Sequence, residues 1–358
     1  MAHRAASLSP VRVRILGDSG RETGTGGSSS CIEISMARQR SAPGIFGTQP
    51  GSGAHADWMS ELCPRLWDVP LHHLAIPGSH DTMSYSLSRE SPVSPTQPKV
   101  LRVLSKALPC VTRPVVLRWA ATQTLDVAGQ LDAGARFLDL CVAHTPGGGE
   151  RSLRFEHTVY SAALVEDALT DVCEWLELHP REAVVLGCRG FEGLSAELHD
   201  YLVACVGNIF GARLCPRGEI PTLRQLWARG QQVLVSYEDE AAVSRHPELW
   251  PGLPRWTGAE VKGEELGSFL DSRRSCGRPG GLFVAGAHLS PSPSFALWHP
   301  AGSLATLTRA ALPALDAWVR QQRPGPGPSC TNIIAGDFIG AGSFVTDVIG
   351  LNQKLLWG

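Results

Sequence analysis

The chain has no two cysteines closer than ten positions apart, no apolar run of bilayer-spanning length and no excess of positive charge. Each absence removes a class of function. Ten cysteines without a Cys-x-x-Cys pair exclude dithiol redox motifs and zinc ribbons, which need two thiolates within a few residues. Cys141, Cys188 and Cys205 lie inside apolar runs, where a free thiol packs as a small hydrophobe. A formal net charge of −2, with no basic stripe interleaved by aromatics, argues against nucleic-acid binding driven by phosphate neutralisation. The lack of a bilayer-length run argues against a transmembrane helix. No secretory apolar segment follows the first residues, and position 2 is not the glycine that myristoylation requires. Unpaired thiols fit a reducing compartment, so the expectation is a cytoplasmic protein, at most peripheral to membranes.

What is present is a globular composition, 43% hydrophobic and 18% charged, on a chain of 358 residues, long enough to bury a sizeable core. Residues 1–55 are rich in Ser, Gly, Arg and Pro, and residues 24–30 carry almost nothing that packs. The expectation is a disordered extension over 1–55, interrupted by a strand-like piece at 11–16, and one folded domain over 56–358. Strand-like runs recur at 72–76, 136–142, 183–188, 232–236, 281–285 and 331–335. Helical periodicity separates them, at 165–178, at 195–210 behind a Ser195 cap, and at 222–228 behind Thr222. Strand alternating with helix predicts a parallel α/β architecture.

Most of these strands end in polar residues: Ser79-His80-Asp81, His144, Arg189, Glu238-Asp239, His288 and Asp337. Functional groups at the C-terminal ends of several different strands predict a TIM-type barrel, irregular or incomplete. A doubly wound sheet would carry a glycine-rich phosphate loop, and Gly340-Ala-Gly342 has neither the spacing nor the place for one. The Pro-rich segment 87–117 is expected to be an irregular insertion over the site. No amphipathic basic helix is evident that would anchor the chain strongly to a membrane.

Two histidines 77 positions apart stand out. His80 ends Leu74-Ala-Ile-Pro-Gly-Ser-His-Asp81, and His157 lies in Leu153-Arg-Phe-Glu-His-Thr-Val-Tyr160. Two imidazoles facing one substrate can divide a phosphodiester cleavage, one as general base and one as general acid. Asp139 and Cys141 share a strand face by the two-residue period and point into the barrel.

The runs Trp67-Asp-Val-Pro-Leu-His-His-Leu-Ala-Ile-Pro-Gly-Ser-His-Asp-Thr82, 181–193 and Thr331-Asn-Ile-Ile-Ala-Gly-Asp-Phe-Ile339 carry a resemblance that extends from Trp58 to the C-terminus. There the chain resembles the phosphatidylinositol-specific phospholipase C X-domain proteins. The resemblance to their simple, metal-independent members implies an incomplete TIM barrel that acts as a phosphoric diester hydrolase on an inositol phospholipid. It implies His80 as the base on the inositol 2-hydroxyl and His157 as the acid on the diacylglycerol oxygen. Asp81 would pair with the acid and Asp337 with the base, although Asp337 also reads as a loop cap. Asp139, Arg189 and Tyr237 would meet the substrate, a capped loop being the equal alternative for Tyr237. No cofactor is implied, only transient contact with a membrane surface. Calcium-dependent relatives carry Asn where Asp81 stands and more carboxylates, so no calcium or other metal site is expected.

Cys141 is the departure. Metal-independent members carry Arg at this position to neutralise the phosphoryl oxygens, and a thiol supplies no such charge. Arg136 has the wrong strand parity to substitute, which leaves Arg189. The alternative function is therefore a weakened pseudoenzyme that binds inositol lipid or a protein partner. Metal-dependent glycerophosphodiester hydrolysis would need Glu and Asp ligands that this strand end lacks.

Overall fold

The computed structural model describes residues 55–357 apart from 146, 150 and 257–262. The expected extension, including the strand-like piece at 11–16, lies outside the described residues except for its last position.

Ten strands form one curled sheet: β1 (Ile76–Ser79), β2 (Phe137–His144), β3 (Leu153–His157), β4 (Val159–Leu164), β5 (Val184–Glu192), β6 (Val233–Tyr237), β7 (Leu249–Pro251), β8 (Arg255–Trp256), β9 (Val284–Ala287) and β10 (Ile333–Gly336). Eight run parallel in the order β7-β6-β5-β2-β1-β10-β9-β8. Among the described residues the edge strands β7 and β8 do not pair with each other, which leaves the barrel open between them. An antiparallel hairpin, β3–β4, extends β2 beyond the barrel wall.

The parallel strands are apolar on both faces, as a sheet covered by helices outside and closed on itself inside requires. Leu138, Leu186, Val235, Ala285 and Ile334 face the helices. Ile76, Phe137, Val185, Leu234, Val284 and Ile333 face inward, and Trp58, Met59, Leu71 and Leu74 join them in the same apolar cluster. One layer further along the strands the inward positions shrink to Gly78, Gly187, Gly286 and Ala335. A Cβ on Gly187 would stand 2.7 Å from the Phe137 ring, so the glycine is what lets that ring fill the barrel centre. Above this layer the same faces carry His80, Asp139, Cys141, Arg189, His288 and Asp337. The two-residue strand period thus delivers six polar groups to one end of the barrel.

Arg136 lies outside this set. It is fully buried, its Nη2 2.7 Å from Glu182 Oε2 and its guanidinium over the rings of Trp58 and Trp175. That pair fixes the start of β2 and contributes nothing to the polar end.

The helices α3 (Val165–Leu178), α4 (Ala196–Phe210) and α5 (Leu223–Arg229) fall where periodicity places them. Ser195 accepts from the Leu198 N–H, and Thr222 forms a capping box with Gln225. Two expectations need correction. The strand expected at 72–76 begins only at Ile76. Leu71–His73 is instead a 3₁₀ turn whose carbonyls at Leu71 and Leu74 accept from the Asn332 side-chain amide (2.9 and 2.8 Å). The supposedly irregular segment 87–117 holds two helices, α1 (Lys99–Ala107) and α2 (Pro109–Ala120). Pro98 and Pro109 sit at helix starts, where a missing N–H costs nothing.

Candidate active site

A cavity of about 340 Å³ opens at the C-terminal end of the strands. Its floor is polar: His80, Asp81, Thr122, Cys141, Glu156, His157 and Arg189. Its walls are apolar, from Leu101 of α1, Val115, Val116 and Trp119 of α2, Leu289, and Ala296 and Leu297 of α7 (Pro293–Trp298). An amphiphilic substrate with a charged head and an apolar body matches this division.

The floor is a continuous chain of imidazoles and carboxylates. Asp337 Oδ1 lies 2.8 Å from His80 Nδ1, His80 Nε2 lies 3.0 Å from Asp81 Oδ2, and the same Asp81 oxygen accepts from His157 Nδ1. The two histidine ring centres are 6.1 Å apart and nearly perpendicular. Left-handed backbone punctuates the chain at Asp81 (φ 39°), at Thr158 directly after His157 (φ 66°) and at Phe338 directly after Asp337 (φ 53°). For a β-branched threonine this conformation is a true outlier. Such strain, on the order of 1–3 kcal/mol per residue, concentrates at functional sites.

A second set of bonds fixes the frame. Gln123 Nε2 donates to the His80 and Gly336 carbonyls (2.9 and 3.1 Å), and its Oε1 accepts from the Ile339 N–H. Thr122 Oγ1 donates to the His80 carbonyl at 3.0 Å. One amide therefore ties the end of β1, which bears His80, to the end of β10, which bears Asp337.

Asp139 is buried among cations. Arg189 Nε and Nη2 reach its two oxygens at 2.8 and 3.1 Å, and Arg255 Nη2 lies 2.9 Å from Oδ1. Arg189 Nη2 also donates to Asp81 Oδ1. Burial opposes ionisation of Asp139, but the Arg189 and Arg255 charges outweigh it and hold the carboxyl well below its usual range. Asp81 is likewise held low against burial, by the charges of His157, His80 and Arg189. Burial also opposes charging of His80, yet the Asp81 charge and hydrogen bonds to Asp337 and Asp81 push it up to about 10. Burial raises Asp337, with His80 pulling the other way.

Of the sequence-derived candidates, the structure brings His80, Asp81, Asp139, Cys141, His157, Arg189 and Asp337 together. It does not bring in Tyr237. That side chain is buried against Phe191, with its hydroxyl 2.7 Å from His199 Nδ1 of α4. Strand parity explains this: Leu234 packs inward on β6, whereas Val235 and Tyr237 face the helices. Asp239 caps α6 (Glu240–Arg245), which is the capped-loop alternative. Four groups that carry the site were not singled out from sequence: Arg255, Glu156, Gln123 and Thr122. Arg255 lies on a two-residue strand, too short for any period to reveal.

His80, Asp81 and Asp139 each offer one donor atom within 4.8 Å of the others. Both carboxylates are already committed to guanidinium and imidazole groups, so a metal ion would have to displace the Arg189 fork. Cys141 lies on the cavity floor with its Sγ 3.8 Å from Glu156 Oε2, and burial pushes the thiol up. Glu156 Oε1 is buried and has no hydrogen-bond partner among the described residues.

No family model matches the chain. Full-length relatives do. PI-PLC X domain-containing protein 1 of Homo sapiens is 63% identical over 322 residues, covering 90% of this chain and 100% of that protein. Its Mus musculus counterpart is 58% identical over 304 residues, covering 85% and 88%. Human PI-PLC X domain-containing protein 3 is 36% identical over 303 residues, covering 83% and 93%. Among solved structures, a phosphatidylinositol-specific phospholipase C from Staphylococcus aureus superposes with a TM-score of 0.59 at 16% identity, covering 84% of this chain and 99% of that one. The enzyme from Listeria monocytogenes gives 0.54 at 19%, covering 83% and 98%. These structures share the curled barrel, and the relatives above share the sequence through it: the chain belongs to the PI-PLC X domain-containing protein family.

Proposed function

We propose that the protein is a metal-independent phosphodiesterase that cleaves an inositol phospholipid at a membrane surface. The observation that carries this reading is the unbroken chain Asp337–His80–Asp81–His157 on the floor of an apolar-walled cavity. One positive charge shared by two imidazoles through Asp81 gives one base and one acid, the pair that an internal hydroxyl attack on phosphorus requires. In the resting arrangement the proton sits on His80. When the inositol 2-hydroxyl displaces Asp81 from His80 Nε2, His80 gives that proton up to water, and His157, still bonded to Asp81 through Nδ1, takes one up at Nε2. His80 Nε2 then accepts the hydroxyl proton, and the His157 imidazolium protonates the leaving glycerol oxygen. Asp337 holds His80 in the tautomer that keeps Nε2 toward substrate. Arg189, at the cavity floor, is the cation placed to meet the phosphoryl oxygens. Nine free cysteines among the described residues support a reducing, cytoplasmic setting.

The membrane side is formed by α1, α2 and α7. Residues 99–120 hold five basic and no acidic side chains. Val100, Val103, Leu108 and Val111 are each more than half exposed there, and Trp298 is 83% exposed at the end of α7. The helix α1 buries Leu101 and Ser105 and turns basic and apolar residues outward. No helix among the described residues is long and apolar enough to cross a membrane. Surface association with an anionic leaflet is the reading that fits.

The direct experiment measures diacylglycerol release from phosphatidylinositol vesicles in the presence of chelator, with H80A and H157A as controls. Release that both substitutions abolish supports the proposal. A second reading, a lipid-binding pseudoenzyme, is favoured by one observation: no guanidinium stands at Cys141, and Arg189 is already bound by two carboxylates. Supplied arginines are worth roughly 10³ to 10⁵ in rate in other phosphoryl transfers, or about 4–7 kcal/mol. An inert wild type that still binds phosphatidylinositol vesicles decides for the second reading.

A further inference from the structure

His288, in the first position after β9, is a histidine to which the proposed acid–base pair assigns no part. Its ring lies flat on that of His80, with centres 3.5 Å apart and planes 5° from parallel. It is buried, and its Nδ1 has no hydrogen-bond partner among the described residues. By strand period it shares the inward face with Val284 and Gly286. A Cβ on Gly286 would stand 2.6 Å from His288 Cε1 and 3.0 Å from Nδ1. The glycine therefore clears the space into which the ring leans.

The contact completes what the carboxylates leave undone. Asp337 and Asp81 hold His80 through its two nitrogens, in the plane of the ring. Two in-plane anchors leave the ring free to tilt about the line joining them. A second flat ring packed on one face at van der Waals distance blocks that tilt and keeps water off the face.

We propose that His288 is a positioning residue for His80: a stacked imidazole that sets the tilt of the base, so that Nε2 faces the bound hydroxyl once Asp81 moves aside. This rests on the acid–base reading given above. The electrostatics agree with it. Burial, and after it the neighbouring His80 charge, hold His288 well below the usual histidine range, with Asp81 and Asp139 opposing and Arg189 adding to the effect. The other titratable groups facing the pair are Asp337 and His157. A neutral ring on an imidazolium is attractive, whereas two stacked imidazolium ions would repel.

The test combines ring NMR of histidine-labelled protein with kinetics on phosphatidylinositol vesicles. Stacking shields the ring protons, so the His80 carbon-bound ring signals are expected upfield in wild type and shifted downfield in H288A, with H288F restoring the upfield position. The same displacement is expected in G286A, whose added Cβ pushes the His288 ring aside, which covers the case of a poorly folded H288A. In H80F, with the imidazolium gone, the His288 titration midpoint should rise. In turnover, H288A should lower kcat tenfold or more with KM within twofold, and H288F should recover most of the loss. Identical His80 ring shifts in wild type and H288A overturn the stack whether or not the protein turns over. An intact NMR signature with kcat unchanged in H288A overturns the positioning role. Wild type inert with the NMR signature intact overturns only the acid–base reading and leaves the stacked pair standing.

Discussion

Arg189 grips Asp139 in a two-point fork, Nε to Oδ1 at 2.8 Å and Nη2 to Oδ2 at 3.1 Å, and the same Nη2 reaches Asp81. The fork neutralises a carboxylate buried in the barrel and aligns the one that bridges both histidines. Removing one member of a buried pair leaves the other charge uncompensated, at a typical cost of about 3–5 kcal/mol. D139N is expected near the lower end of that range by urea denaturation, because Arg189 is a quarter exposed. D139N combined with R189M should lose less than the sum of the single changes. Strict additivity would show that the fork is ornamental.

The elevated His80 value makes a signed prediction for pH. Its folded value, about 10, lies above the ordinary 6.5. The stability it contributes is therefore fully present below pH 6.5 and is lost as pH rises through the folded value. Between those limits unfolding free energy should fall, at most about 1.4 kcal/mol per pH unit. H80N should flatten this slope. Turnover needs one proton on the histidine pair, so kcat/KM should follow a bell-shaped profile that falls at alkaline pH as that shared proton is lost. A wild-type slope that H80N leaves unaltered contradicts the assignment.

How legible all this was in the sequence depends on which physical signal each part obeys. Inward-facing positions obey the two-residue period, so Asp139, Arg189 and the failure of Arg136 as a substitute were all readable. The same period, applied to β6, would have excluded Tyr237. The β3–β4 hairpin was not readable, because it turns on Thr158 in a left-handed conformation that turn rules reserve for Gly, Asn or Asp. The helices α1 and α2 were masked by their prolines, three of which fall at 98, 109 and 114. Gln123 braces three backbone groups far apart in sequence, and no local pattern records such a role.

The exposed ridge of α1, α2 and α7 predicts membrane binding with both an electrostatic and an apolar part. Each Lys or Arg near an anionic leaflet is worth about 1 kcal/mol. K99E with K106E should therefore weaken flotation with phosphatidylserine-containing vesicles by tenfold or more, and added salt should weaken the wild type likewise. V103D with W298A should weaken binding to neutral and anionic vesicles alike. Neither pair lines the cavity floor, so cleavage of a soluble inositol phosphodiester should stay within twofold of wild type.

Cys141 offers the sharpest test of turnover, because its environment already holds a counter-charge. Glu156 lies across from the thiol with one buried oxygen unpartnered. An arginine at 141 would find a carboxylate waiting and place a guanidinium beside the cavity that His80 and His157 share. C141R is thus expected to fold and to raise kcat at least tenfold on phosphatidylinositol, with C141S unchanged, because neither thiol nor hydroxyl carries charge. In C141R, E156Q should raise the rate further, by releasing the guanidinium from Glu156 toward phosphate. The half-buried, protonated Cys141 should also react with iodoacetamide more slowly than exposed Cys110. No gain in C141R, against a wild type that turns over fast, would mean that Arg189 alone neutralises the phosphoryl group and that the cation lost from the β2 wall was dispensable.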